Sequence, residues 1–189
     1  MMWDMVHDGR ETFLAVMRAM CAPGTPIRLP RPVPLCGERD LDGAAAILLA
    51  LLDRGLTLAV AGPALVQRLG AAVIAHTGAE TTGLSDADWV LVHGPAADAI
   101  TRARRGSTDR PEAGASIVIA ASGPAIPVVV SGPGVHGHTT AHIALDDLAV
   151  HAFTAANAAA PCGVDLFVVT GQQVTALPRS VSVQPGVTV

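Results

Sequence analysis

Four arginines and a glutamate crowd one stretch of this 189-residue sequence: Arg102, Arg104, Arg105, Arg110 and Glu112. A guanidinium presents a planar fork that grips phosphonate, phosphate or carboxylate oxygens in pairs. The group reads as a rim that contacts an anion or a partner. The alternative is a solvated helix end, where arginines favour the negative pole of the helix dipole. Gly106 is suited to stopping a helix in the left-handed conformation, and Pro111 cannot continue one. Gly114 admits close backbone approach just before the apolar run Ser116-Ile117-Val118-Ile119-Ala120. The stretch from Gly106 to Ala115 is therefore expected to be a loop held between a helix and a strand at the rim of a sheet, where sites and subunit contacts tend to sit.

Three other groups could carry chemistry. His136, His138 and His142 lie close enough in sequence to suggest a zinc-type site, with Asp146 and Asp147 a turn later. His136 and His138 share a face if the segment is extended, and His138 and His142 if it is helical. All three converge only where the chain switches between the two. Gly132-Pro133-Gly134-Val135-His136-Gly137 has the letters of a dinucleotide-binding turn, but Pro133 stiffens it and Thr139 and Thr140 open a helix poorly. A tight turn leaving a strand fits better. Asp165 directly precedes an apolar strand and needs a partner there. Arg179 is a candidate, and the backbone amides of the Asp165 turn are the alternative. The sequence contains no Gly-x-Ser-x-Gly nucleophile elbow.

Composition narrows the classes. Half of the residues are hydrophobic but only 3% are aromatic, so the core must be built from Ala, Val, Leu and Ile. Charged residues are 15%, against the usual quarter or so, which predicts that partner subunits cover much of the surface. All 12 basic residues are Arg. A chain without Lys can form neither the internal Schiff base of pyridoxal phosphate (PLP) nor a P-loop. A net charge of −4 argues against nucleic acid as a partner. The longest apolar run, 44–52, is too short for a membrane span, and the N-terminus lacks the pattern of a signal peptide. Cys21, Cys36 and Cys162 form no Cys-x-x-Cys pair and read as reduced thiols of a cytoplasmic protein.

Elements to position these residues can be read in order. A first helix is expected over 9–21, opened by Asp8 and Glu11 in a capping box, with Phe13, Met17 and Met20 along one face and Leu14 and Cys21 beside them. Pro26, Pro30, Pro32 and Pro34 keep the next segment extended, as an arm across this domain or a neighbour. A helix over 40–53, capped by Asp40 and apolar nearly all round, should be buried on several sides. Strands follow at 56–61 and 89–93, with helices after Pro63 and Pro95, an order that predicts parallel pairing. Segments 115–121 and 126–131 read as a hairpin around Ser122-Gly123-Pro124, 146–158 as a helix, and 166–170 with 174–177 as a second hairpin. The prediction is one α/β domain over 1–189, three-layered, with a mixed sheet flanked by helices.

Several stretches in order resemble one family. Phe13-Leu14-x-x-Met17-x-Ala19-Met20-x-x-Pro23-Gly24 resembles the opening helix of PhnH, the H subunit of the bacterial carbon–phosphorus lyase system. Pro111-Glu112-Ala113-Gly114-Ala115 resembles that family's central loop, and Val128-Val129-Val130-Ser131-Gly132-Pro133-Gly134-Val135 its Gly-Pro-Gly turn. Pro161-Cys162-Gly163-Val164-Asp165-Leu166 and Leu177-Pro178-Arg179-Ser180 are similar to its closing signatures. The resemblance implies a fold like the large domain of PLP-dependent transferases, without PLP or any other cofactor. It implies a homodimer when alone, and partnership with the G, I, J and L subunits in phosphonate catabolism. The product would be α-D-ribose 1-methylphosphonate 5-triphosphate, made from ATP and methylphosphonate, with this chain a non-catalytic or assisting subunit. Gly114, Gly134, Asp165 and Arg179 would then be structural. Two other readings stay open: a free-standing metal-dependent enzyme using His136, His138 and His142, and a purely structural dimer.

Overall fold

The runs Val90-Leu91-Val92, Ile117-Val118-Ile119 and Leu166-Phe167-Val168-Val169 are buried throughout, as strands covered on both faces must be. They form the middle of the larger sheet in the structure, a computed structural model that describes residues 3–30 and 34–186. The elements are α1 (His7–Cys21), β1 (Ile27–Arg28), α2 (Arg39–Leu51), β2 (Thr57–Ala61), α3 (Ala64–Thr77), β3 (Glu80–Thr81), β4 (Trp89–His93) and α4 (Ala97–Arg102). There follow β5 (Ser116–Ala120), β6 (Ile126–Ser131), β7 (His138–Ile143), α5 (Asp147–Ala156), β8 (Asp165–Thr170), β9 (Gln173–Leu177) and β10 (Ser182–Pro185).

The larger sheet has strand order β1-β9-β8-β5-β4-β2-β3. β8, β5, β4, β2 and β3 are parallel, while at one edge β9 runs antiparallel to β8 and β1 antiparallel to β9. A smaller antiparallel sheet, β10-β6-β7, covers part of one face together with α4 and α5. The other face carries α1, α2 and α3. The result is a three-layer mixed α/β arrangement around a mostly parallel sheet. Among the described residues no helix is long and apolar enough to cross a membrane.

α3 carries the chain from β2 out to β3, and residues 82–88 then bring it back to β4 without a helix. α4 carries it from β4 to β5, in the opposite direction across the sheet and over the opposite face. The two helical crossovers therefore share one hand, in keeping with the uniform handedness of parallel crossovers.

The expected hairpin between 115–121 and 126–131 does not form. β5 already has β4 on one side and β8 on the other, and the Ala121 amide donates to the Val169 carbonyl (2.9 Å). With both edges of β5 taken, the chain leaves at Ser122-Gly123-Pro124 and β6 pairs with β7 and β10 instead. The second expected hairpin, β8–β9, is present. The proline arm lies on its own molecule: Ile27 and Arg28 add β1 to the β9 edge. Pro32 lies outside the described residues.

Helix starts differ from expectation in an instructive way. Asp4, not Asp8, opens α1: its carboxylate accepts from the Val6 and His7 amides (2.8 and 3.0 Å), while Asp8 reaches back to the Asp4 amide (2.8 Å). The buried face of α1 is Thr12, Ala15, Val16 and Ala19, small enough to seat the helix closely on α2. Phe13 and Met17 consequently point outward. α2 is buried on nearly every side, as its all-round apolarity predicts. Asp40 does not cap it; its carboxylate accepts from the Gly171 amide in the β8–β9 turn.

The anchoring carboxylate is Asp42, buried in the first turn of α2. One oxygen accepts from the Leu35 and Cys36 amides (3.0 and 2.9 Å) and the Cys36 thiol (3.3 Å), and the other from the Gly37 amide (3.1 Å). Burial, with the Asp42 charge beside it, pushes the Cys36 thiol above its ordinary pKa. Asp42→Ala leaves three backbone amides without their acceptor and should cost about 3 kcal/mol. The drop in urea midpoint at unchanged m-value measures it, and a loss under about 0.5 kcal/mol rejects this anchoring role.

Candidate functional site

The functional candidates divide between the two ends of the parallel strands. At the amino ends, Asp88 and Asp165 each stand directly at the entry to a buried strand, and each meets an arginine. Arg179 engages Asp165 through Nε (3.2 and 3.1 Å) and Nη2, while the Arg179 backbone amide adds a bond to Oδ1 (2.7 Å). The same guanidinium donates to the carbonyls of Pro111 and Gly114 (the latter 3.2 Å). A Cβ on Gly114 would collide with that guanidinium and with the Gly163 carbonyl. Arg104 does parallel work: Nε donates to the Ala113 carbonyl (2.6 Å) and Nη2 to Asp88.

Two arginines thus fasten the 111–114 loop, and both are consumed by it. The remaining rim residues differ. α4 ends at Arg102, so Arg104 and Arg105 lie in the loop and not on a helix end. Gly106 is left-handed (φ 73°) inside that loop, where a Cβ would press on the Arg110 and Pro111 carbonyls. Arg102 pairs with Asp98 on the surface (3.4 Å). Among the described residues the Arg105 side chain makes only a long bond to the Thr101 carbonyl (3.4 Å), and Arg110 and Glu112 are exposed.

Asp88 also accepts from the Thr57 amide and hydroxyl (2.9 and 2.7 Å). Burial works to raise its carboxyl, but the Thr57 bonds and Arg104 more than offset this and hold it below the usual range.

The histidines do not converge. Residues 138–143 are an extended edge strand, with His138 and His142 on its exposed face four residues, or roughly 13 Å, apart. Among the described residues no three His, Cys, Asp or Glu side chains are grouped to hold a metal. The glycine-rich turn joins β6 to β7 in a hairpin and opens no helix, so it is not a dinucleotide fingerprint. Gly134 (φ 83°) lies against the end of α1, where a Cβ would sit 2.8 Å from the Cys21 carbonyl.

At the carboxyl ends the sheet is open. A cavity of about 420 Å³ lies beyond β4 and β5, within the range typical of small-molecule sites, roughly 300–1,000 Å³. Its floor includes buried Ala96, Ile119, Ala121 and Leu145, and its rim the exposed Ser122, Pro124, Asp146 and Asp147. His93, the last residue of β4, bonds the Ala120 carbonyl through Nδ1 (3.0 Å). A carbonyl only accepts, so Nδ1 carries a proton and Nε2 of the neutral ring is an acceptor. Asp146 caps α5, accepting from the Ala149 amide (2.7 Å). His93 was not singled out from sequence; its signal is a histidine that ends an apolar strand just before Gly94-Pro95. Carboxyl ends of parallel strands are where α/β folds bind ligands.

Arg179→Ala would strand a buried carboxylate and two loop carbonyls, at a cost of about 3–5 kcal/mol. Arg179→Lys should recover only part of this in denaturant unfolding, because an ammonium cannot reproduce the fork; full rescue by Lys contradicts the geometry. For Asp88 the folded pKa is depressed, so its contribution is full above the unfolded value of about 4 and is lost as pH falls through the lower folded value. The melting-temperature gap between wild type and Asp88→Asn should be open at pH 6 and close in the acid range; a gap that is constant with pH refutes it.

No curated protein shows a significant match to the chain. A family model does, over residues 1–184, and its description is that of a bacterial phosphonate metabolism protein. On that match, which spans nearly the whole sequence, the chain belongs to the PhnH family.

Proposed function

We propose that this chain is an assisting subunit of the bacterial carbon–phosphorus lyase system. It acts as one domain over residues 1–189, dimerises when alone, and associates with the G, I, J and L subunits. In that setting it supports formation of α-D-ribose 1-methylphosphonate 5-triphosphate from ATP and methylphosphonate without performing the chemistry. Membership of the PhnH family, a family of phosphonate metabolism, is the observation that carries this reading.

Two surfaces support it. At the start of α1 and along it, Val6, Phe13 and Met17 are 73%, 42% and 44% exposed and lie along one helical face. A helix apolar on its buried side and again on its outer side has a second surface to cover. In a chain with only 15% charged residues, solubility alone does not explain that face. At the other surface, Arg105 and Arg110 keep exposed guanidinium groups beside Glu112, suited to carboxylates of a neighbouring subunit. The layering around a mostly parallel sheet is compatible with a fold like the large domain of PLP-dependent transferases, and a chain with no Lys cannot anchor that cofactor as an internal Schiff base.

The test is co-expression of the tagged chain with its own organism's G, I, J and L subunits, read by native mass spectrometry, with sedimentation of the chain alone. A stoichiometric assembly is expected. Phe13→Asp with Met17→Asp, or Arg105→Glu with Arg110→Glu, should each weaken assembly while leaving the chain's stability within about 1 kcal/mol of wild type. A chain that never co-purifies with these subunits overturns the subunit reading, and an assembly indifferent to both double variants overturns the assignment of the surfaces.

A further inference from the structure

We propose that the cavity beyond β4 and β5 binds a small organic amine, with its ammonium at the Asp146–Asp147 rim and its apolar body on the floor below. The charges of the lining argue the sign of the ligand. None of the 11 arginines among the described residues lines the cavity, and the sequence has no Lys. Its formally charged lining residues are two adjacent carboxylates. Asp147 is exposed, with no side-chain bond or ion pair among the described residues, and Asp146 commits one oxygen to capping α5. A phosphonate or phosphate entering here would meet two negative charges and, among the described residues, no fixed cation.

The amino end of α5 does not reverse this. Its attraction for an anion is already met by the Asp146 carboxylate on the Ala149 amide. With its Nδ1 proton on the Ala120 carbonyl, the His93 ring in its neutral form adds Nε2 as a third acceptor. Acceptors at the rim call for a donor on the ligand. The floor supplies no polar side chain at Ala96, Ile119, Ala121 or Leu145, so the rest of the ligand is apolar. The inference stands apart from the subunit reading, since it concerns a cavity that neither of the proposed partner surfaces includes.

Calorimetric titration of the intact chain with isoamylamine is the test, run beside isoamyl alcohol, inorganic phosphate and methylphosphonate. Saturable amine binding is expected, with the uncharged alcohol weaker by about fivefold and the two anions silent. Asp146→Ser keeps a capping oxygen while removing the charge; combined with Asp147→Asn it should weaken the amine about tenfold. Ala144→Trp, at a half-buried wall position, should abolish binding by filling the space. The surface double variant decides the matter even if the Trp variant folds poorly. The proposal is overturned by absence of amine binding, by preferential binding of either anion, or by amine binding that survives loss of both carboxylates.

Discussion

Much of this fold depends on two ion pairs at the amino ends of a sheet's central strands. Arg179–Asp165 and Arg104–Asp88 stand at the amino ends of β8 and β4, and both arginines spend their spare donors on carbonyls of the 111–114 loop. The segments they join are far apart in the chain: Arg179 lies 65 residues from Gly114 and 14 from Asp165. Ion pairs of this sort contribute little net stability when complete, but breaking one leaves a desolvated charge. Their value here is positional. They set where the loop enters β5, and with β5 the register of β4 and β8 on either side.

That arrangement was half legible. Asp165 before an apolar run, with Arg179 as a candidate partner, could be read directly because a carboxylate at the mouth of a buried strand must be satisfied. Asp88 stands in the same relation to Trp89–His93 and was passed over, although the signal is the same. Its partners Thr57 and Arg104 lie 31 and 16 residues away, which no local pattern encodes. The arginine rim was read as a set, whereas the fold divides it. Arg104 turns inward, Arg102 pairs with Asp98, and only Arg105 and Arg110 keep donors largely free. Residue type cannot distinguish these fates; the direction of the chain after α4 does.

Elements with strong periodicity or punctuation were the most legible. β4 and β6 occupy the expected residues, and the limits of α3 follow Pro63 and Gly78. Pairing was less so. A short connection predicts a hairpin after both β5 and β8, and only the second forms. The difference is that β5 is flanked on both sides by other parallel strands, a fact of topology invisible to a window of ten residues. The short edge strands β1 and β3 have two residues each, too few to carry any alternation. On α1 the larger apolar residues suggested a packing face, yet Thr12, Ala15, Val16 and Ala19 are the buried ones. Close helix packing selects small side chains and leaves bulky ones for the outer surface.

The two ends of the parallel strands are built for different tasks. At the amino ends, backbone bonds close what the arginines begin: Gly163 donates to the Arg105 carbonyl (2.8 Å), and Ala115 to that of Arg104 (2.7 Å). A loop so fully bonded has little freedom to close on a ligand, and its exposed charges are better suited to a fixed partner. At the carboxyl ends the chain leaves β2 and β4 toward opposite faces, because its helical crossovers step in opposite directions, from β2 to β3 and from β4 to β5. Such divergence opens the end of a sheet. The smaller sheet and α5 then wall the space beyond β4 and β5 without filling it. With Ala, Ile and Leu below and carboxylates above, that space is the wrong sign for the anions the arginines would bind. The exposed guanidinium groups of Arg105 and Arg110 and the carboxylates of Asp146 and Asp147 thus lie at opposite ends of the parallel strands.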